Sequence, residues 1–118
     1  MTDSLIHAFR EAFAATPAVI SRAPGRLEIL GNHTDYNEGY VLSCAVNRAA
    51  WLAVGLAEGD RCVIHDTGED LRSEFSLADL NSPVPGDWSN YIKGIIVELR
   101  KRGVELPPFN AVLESTVP

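Results

Sequence analysis

Arg26, Asn32, His33 and Asp35 lie close together in the stretch Pro24-Gly25-Arg26-Leu27-Glu28-Ile29-Leu30-Gly31-Asn32-His33-Thr34-Asp35-Tyr36, between two apolar runs. A guanidinium can stabilise charge on a transferring phosphoryl group, or lower the pKa of a neighbouring acid or hydroxyl. A lone arginine is ordinarily a solvated surface charge. Arg26, however, follows Pro24-Gly25 and precedes an apolar run, which fixes its position. His33 and Asp35 alternate, and in an extended segment residues two apart point the same way. A carboxylate accepts hydrogen bonds from two adjacent hydroxyls, and a neutral imidazole donates or accepts one. That set suits a vicinal diol on a pyranose ring. The same residues could instead build a plain turn, their side chains bonding nearby backbone amides.

A second group begins at Trp88. Trp88 and Tyr91 are one helical turn apart and can share a face. Aromatics at such spacing are most often core, yet a flat ring can also stack on a nucleotide base. Asn90 and Lys93 beside them suit either phosphate contact or helix capping. His7 and His65 carry no motif, no carboxylate pair stands out, and no serine has a nucleophile setting.

The elements that position these groups read in order. Residues Ser4 to Ala15 form an amphipathic helix, with Asp3 or Ser4 as N-cap and Leu5, Ile6, Phe9 and Phe13 on one face. Thr16-Pro17 ends it. Ala18 to Ala23 and Leu27 to Leu30 are short strands, with Gly25 and Gly31 allowing sharp bends. Asn32 to Gly39 is a loop. Tyr40 to Val46 and Ala49 to Ala57 are apolar enough for buried strands, Glu58-Gly59-Asp60 reverses the chain, and Arg61 to His65 continues as a strand. Arg72 to Leu77 alternates as a half-exposed strand, and Asn81 to Gly86 is a surface connection. A helix follows from near Asp87, with Tyr91, Ile92, Ile95, Ile96 and Leu99 as its stripe and Gly103 as its stop. Phe109 to Val117 is the last strand. The expected fold class is α+β, a mixed and mostly antiparallel sheet with helices on one face.

Composition narrows the classes. The 118 residues suit one domain at most. A net charge of −6 argues against nonspecific binding to nucleic acid or anionic membranes. The sequence has neither a run of membrane-spanning length nor the basic start of a signal peptide, so a cytoplasmic location is expected. Cys44 and Cys62 stand apart in apolar stretches and read as two reduced, buried thiols.

Gly25-Arg26-x-x-Ile29-x-Gly31-x-His33-x-Asp35-Tyr36 resembles the first motif of the galactokinases, within the superfamily of galactose, homoserine, mevalonate and phosphomevalonate kinases. Trp88-Ser89-Asn90-Tyr91-Ile92-Lys93-Gly94 is similar to a second motif, and Leu113 to Pro118 to the strand entering the phosphate loop. The resemblance implies an ATP- and Mg²⁺-dependent sugar 1-kinase, with Arg26 beside the reacting hydroxyl. It implies Asn32, His33 and Asp35 on the sugar, and Trp88 and Tyr91 near the nucleotide. Two positions depart from the family pattern. Asn32 stands where an acidic residue is usual, and Glu28 where an asparagine is. The family's acidic residue helps hold a sugar hydroxyl remote from the reacting carbon. A changed donor and acceptor pattern alters which hydroxyls a site accepts, unless Glu28 restores the charge, which strand alternation does not guarantee.

The resemblance spans nearly the whole chain but only the N-terminal part of such an enzyme. The phosphate loop, and an aspartate near the acceptor hydroxyl, would come after Pro118. Residues 1–118 are therefore expected to be a partial, sugar-side kinase domain, inactive alone and prone to self-association through uncovered strands. A noncatalytic sugar- and nucleotide-binding regulator on the same scaffold would carry the same residues.

Overall fold

The computed structural model describes residues 1–80 and 82–118. Among them, helix α1 covers Thr2–Phe13 and α2 covers Asn90–Lys101. The strands are β1 (Val19–Leu30), β2 (Leu42–Leu56), β3 (Arg61–Asp66), β4 (Leu71–Ser76) and β5 (Phe109–Ser115). They form one sheet in the order β1-β2-β5-β3-β4. Every neighbouring pair is antiparallel except β3 with β5. The expected α+β class and mixed, mostly antiparallel sheet are what form.

The helices were expected together on one face, and they divide between both. Along β2, Ala53 packs with Leu5 and Phe9 of α1, while its neighbours Leu52 and Val54 pack on the cluster containing Ile96 of α2. Along β5, Val112 and Ala111 divide in the same way. The cause is local. A strand apolar at successive positions presents an apolar row on each face, and each row needs cover.

Helix α1 buries Leu5 and Phe9 completely, with Phe9 and Phe13 rings 4.9 Å apart. Neither Asp3 nor Ser4 caps it. Met1 holds that position, and Ser4 Oγ donates to the Met1 carbonyl at 2.6 Å. Ala14, in the left-handed region at φ 51°, ends the helix ahead of Thr16-Pro17.

The two short strands expected on either side of Pro24-Gly25 form one strand with a register shift between Pro24 and Arg26. Tyr40–Val46 and Ala49–Ala57 likewise merge into β2. A Cβ on Gly25 would lie 3.1 Å from both Val46 and Val117. The glycine lets the chain pass this crowded point without turning away. Glu58-Gly59-Asp60 reverse the chain, yet β2 and β3 do not pair, because β5 inserts between them.

Pairing of β5 with β2 stops at Ala50 and Ser115. Beyond that point, Arg26–Leu30 and Leu42–Ala45 pair only with each other. This ribbon lacks cover, so Cys44 is exposed rather than buried, while Cys62 lies in the core as expected. Burial pushes the Cys62 thiol up from its ordinary pKa.

Helix α2 starts three residues later than expected, with Ser89 as N-cap. Ile96 is buried and Ile92 and Val97 pack beside it, but Tyr91 and Ile95 face outward. Gly103, at φ +82°, stops the helix as expected. The connection expected over 81–86 begins at Asn81, which lies outside the described residues; Ser82 to Gly86 are exposed.

Candidate functional site

Strand β1 carries Arg26 and Glu28 toward the uncovered end of the ribbon. Arg26 pairs with Ala45 and Glu28 with Ser43, with no register shift between them. Two residues apart in an unbroken extended stretch, they stand on the same side of β1. A second shift, between Glu28 and Leu30, then breaks the alternation before the turn.

The turn is built from the backbone outward. Gly31 sits at φ +111°, and its carbonyl accepts hydrogen bonds from the N–H groups of Thr34 and Asp35 at 3.1 and 3.0 Å. A Cβ on Gly31 would come within 2.9 Å of the Tyr40 carbonyl oxygen, so only glycine fits. Thr34 Oγ1 donates toward the carbonyls of Gly31 and Tyr40 at 3.2 and 2.9 Å. Asn37 Nδ2 donates to the His33 carbonyl at 2.9 Å. The turn-building role open to Asn-His-Thr-Asp thus falls largely to Thr34, with Asn37 from just beyond.

Asp35 opens a single 3-10 turn, Asp35–Asn37, and His33 Nδ1 lies 3.3 Å from the Tyr36 hydroxyl. The segment is therefore coiled, not extended. His33 and Asp35 do not share a strand face, because residues two apart in such a turn diverge around its axis. Both side chains, like Arg26 and Asn32, are exposed.

Glu28 and Asn32, separated by the second shift and Gly31, line one cavity of about 230 Å³ together with Ile29 and Leu30. Glu28 Oε1 is buried and has no hydrogen-bond partner among the described residues. Whether Glu28 faces the same space as Asn32, left open by strand alternation, is decided by the irregularity after Glu28. The hints in sequence were a carboxylate placed inside an apolar run and the departure of Glu28 from the family pattern.

The aromatic group lies elsewhere. Strand β1 is one edge of the sheet and β4 the other. The entry to α2 is tied to β4 by the 2.8 Å hydrogen bond between Ser73 Oγ and Ser89 Oγ. Trp88 precedes the helix and packs half-buried on the core, while Tyr91 is exposed. The two do not share a face. Arg26, Asn32, His33 and Asp35 gather at one end of β1, then, and Trp88 and Tyr91 sit apart from them.

Asn90 and Lys93 tie the start of α2 to the segment before it. Asp87 Oδ1 accepts from the Ser89 N–H and hydroxyl at 2.9 and 2.7 Å, and Lys93 Nζ donates to Asp87 Oδ2 at 2.7 Å. The lysine and the Ser89 hydroxyl hold the Asp87 pKa down to about 2. Asn90 exchanges hydrogen bonds with the Val84 backbone. Among the described residues no group of three His, Cys, Asp or Glu is placed to hold a metal, and no helix is long and apolar enough to cross a membrane.

Residues 7–56 match the family model described as the galactokinase galactose-binding signature. Over 98% of its length the chain is 34% identical to a galactokinase from Halalkalibacterium halodurans, of which it covers 30%. The crystal structure of Lactococcus lactis galactokinase complexed with galactose superposes on 99% of this chain and 31% of its own, with a TM-score of 0.84 at 28% identity. Methanococcus jannaschii mevalonate kinase shares the fold over 85% of this chain and 33% of its own, with a TM-score of 0.69 at 17% identity. The chain spans about 30% of the length of the curated relatives it matches.

Proposed function

From the premise that this is a galactokinase-like chain of the galactose, homoserine, mevalonate and phosphomevalonate kinase superfamily, we propose that it supplies the sugar side of an ATP-dependent sugar 1-kinase. Residues 1–118 form part of the N-terminal domain of that enzyme. The reaction moves the γ-phosphoryl group of ATP to the anomeric hydroxyl of galactose or a related sugar. The new bond joins that oxygen to phosphorus, the β–γ bridge bond breaks, and ADP leaves.

The observation that carries this reading is the galactose-binding signature over residues 7–56, which contains the whole Arg26-to-Asp35 group. Arg26 assists transfer by stabilising charge on the moving phosphoryl group. Asn32, His33 and Asp35 hold the sugar hydroxyls. Trp88 and Tyr91 contact the nucleotide, Tyr91 offering a free ring and Trp88 only the part outside the core. Lys93, engaged by Asp87, is not a free cation for phosphate. The phosphate cradle, the Mg²⁺ ligands and the group that takes the hydroxyl proton belong to residues outside this set. The enzyme works in the cytoplasm on small molecules. Residues 1–118 on their own give no turnover and associate through the uncovered edge of β1.

The test is sugar-dependent ADP formation by the gene product that carries residues 1–118, assayed against a hexose panel with and without Arg26→Ala. Turnover with galactose or a relative, reduced about 10³-fold or more in the variant, supports the reading. Sugar binding without turnover points instead to a binding regulator, and turnover by residues 1–118 alone contradicts their assignment as an inactive part.

A further inference from the structure

We propose that Glu28 is a specificity-determining residue of the sugar site, its carboxylate accepting a hydrogen bond from one hydroxyl of the bound sugar. This rests on the sugar-binding reading and adds a residue to it.

The argument begins with an unmet acceptor. Of the buried side-chain polar atoms without a partner among the described residues, Glu28 Oε1 is the only acceptor. Leaving such an oxygen dry and unpaired costs on the order of 1–3 kcal/mol, more when charged. A buried group of this kind calls for a donor or a functional reason. Among the described residues no ion pair joins Glu28 to Arg26, although the two share a side of β1. Glu28 also lines the cavity at the end of β1, with Asn32 on the same wall.

The cavity's size and chemistry set what enters it. About 230 Å³ is below the roughly 300–1,000 Å³ of pockets that enclose a whole ligand. It suits one arm of a polyol, with the rest of the molecule outside, toward Arg26 and the turn. A hydroxyl arm brings the donor that Oε1 lacks, reached by the side-chain rotation that commonly accompanies binding. Asn32 beside it offers both a donor and an acceptor, so it can take the same hydroxyl's lone pair. The two side chains then read one hydroxyl jointly, carboxylate from the strand and carboxamide from the turn. Burial of Oε1 makes that hydrogen bond more discriminating than an exposed one.

The experiment is ligand-observed NMR titration of the gene product carrying residues 1–118 with galactose and each of its monodeoxy analogues. Parent protein and Glu28→Gln are compared, with urea unfolding of each as a control for folding. One analogue is expected to bind the parent about tenfold or more weakly. Glu28→Gln should weaken galactose by a similar factor while leaving that same analogue unchanged. If Glu28→Gln does not fold, the exchange Glu28→Asn with Asn32→Glu, which moves the carboxylate across the same cavity, serves instead. It is expected to retain discrimination at that one hydroxyl, and loss of it counts against the proposal. Equal weakening of every analogue, or no weakening, overturns the role of Glu28 while leaving the sugar-binding reading intact. A parent that binds no member of the series overturns both.

Discussion

At the scale of single residues, the site depends on a few positions where the backbone admits one side chain only. Gly31 is the clearest case. It holds φ +111°, and a Cβ there would meet the backbone of Tyr40 and Val41 at 2.9 Å. Substitution would break the point from which the Thr34 and Asp35 amides are hung. Gly31→Ala is expected to cost about 1–3 kcal/mol, measured by urea unfolding, and to weaken sugar binding beyond that loss. Full retention of both would show that the turn forms by another route. The glycine was visible in the sequence as a bend. The carbonyl it needs to clear was not, because Tyr40 is brought back by the turn itself.

At the scale of elements, the start of α2 is held by charge as much as by packing. Asp87 gathers the Ser89 amide, the Ser89 hydroxyl and Lys93, and Ser89 in turn binds Ser73 of β4. The side chains of Asp87 and Lys93 are only 21% and 11% exposed, so solvent screens the pair less than one at the surface. The folded pKa of about 2 lies below the ordinary carboxylate value of 3.8. Between those values the unfolded chain binds more protons. The stabilisation is therefore complete above about pH 4 and is lost as pH falls toward 2. Asp87→Asn should cost about 1–3 kcal/mol at neutral pH, and should flatten the fall in urea midpoint over that window. An unchanged pH profile in the variant would show that other carboxylates set the acid transition. Helical periodicity located α2, but this network was illegible beforehand. Asp87, Ser89 and Lys93 are common surface types, and only the return of β4 beside them turns the cluster inward.

At the scale of the whole molecule, one feature governs behaviour in solution. The sheet is well covered where β5, β3 and β4 meet α2, and poorly covered at β1. An apolar groove of about 420 Å³ runs between β1, β2 and α2, bordered by Val19, Val54, Ile92 and Ile95. Val19 is also on the edge strand and 60% exposed. An open apolar edge pairs readily with another chain, and a lysine placed on it opposes that. Residues 1–118 in isolation are expected to associate with rising concentration in sedimentation, and Val19→Lys to restore the monomer. A monomeric parent at every concentration would contradict association through this edge.

The sequence by itself determined the order of the elements and the turn after β1. Helical periodicity, apolar runs and one alternating stretch located both helices and the strand regions, with β1 and β2 each read as two segments that the structure joins. The Gly25-to-Tyr36 motif announced a turn, since its glycines and short polar side chains act over short range. Tertiary structure alone decided three further things. It set the helices on opposite faces of the sheet, because which row of a doubly apolar strand each helix covers depends on where the chain returns. It inserted β5 between β2 and β3, joining residues distant in sequence. It brought Glu28 of the strand and Asn32 of the turn to one cavity, because the chain leaves β1 through the irregularity after Glu28 and bends at Gly31, a path that strand alternation does not describe.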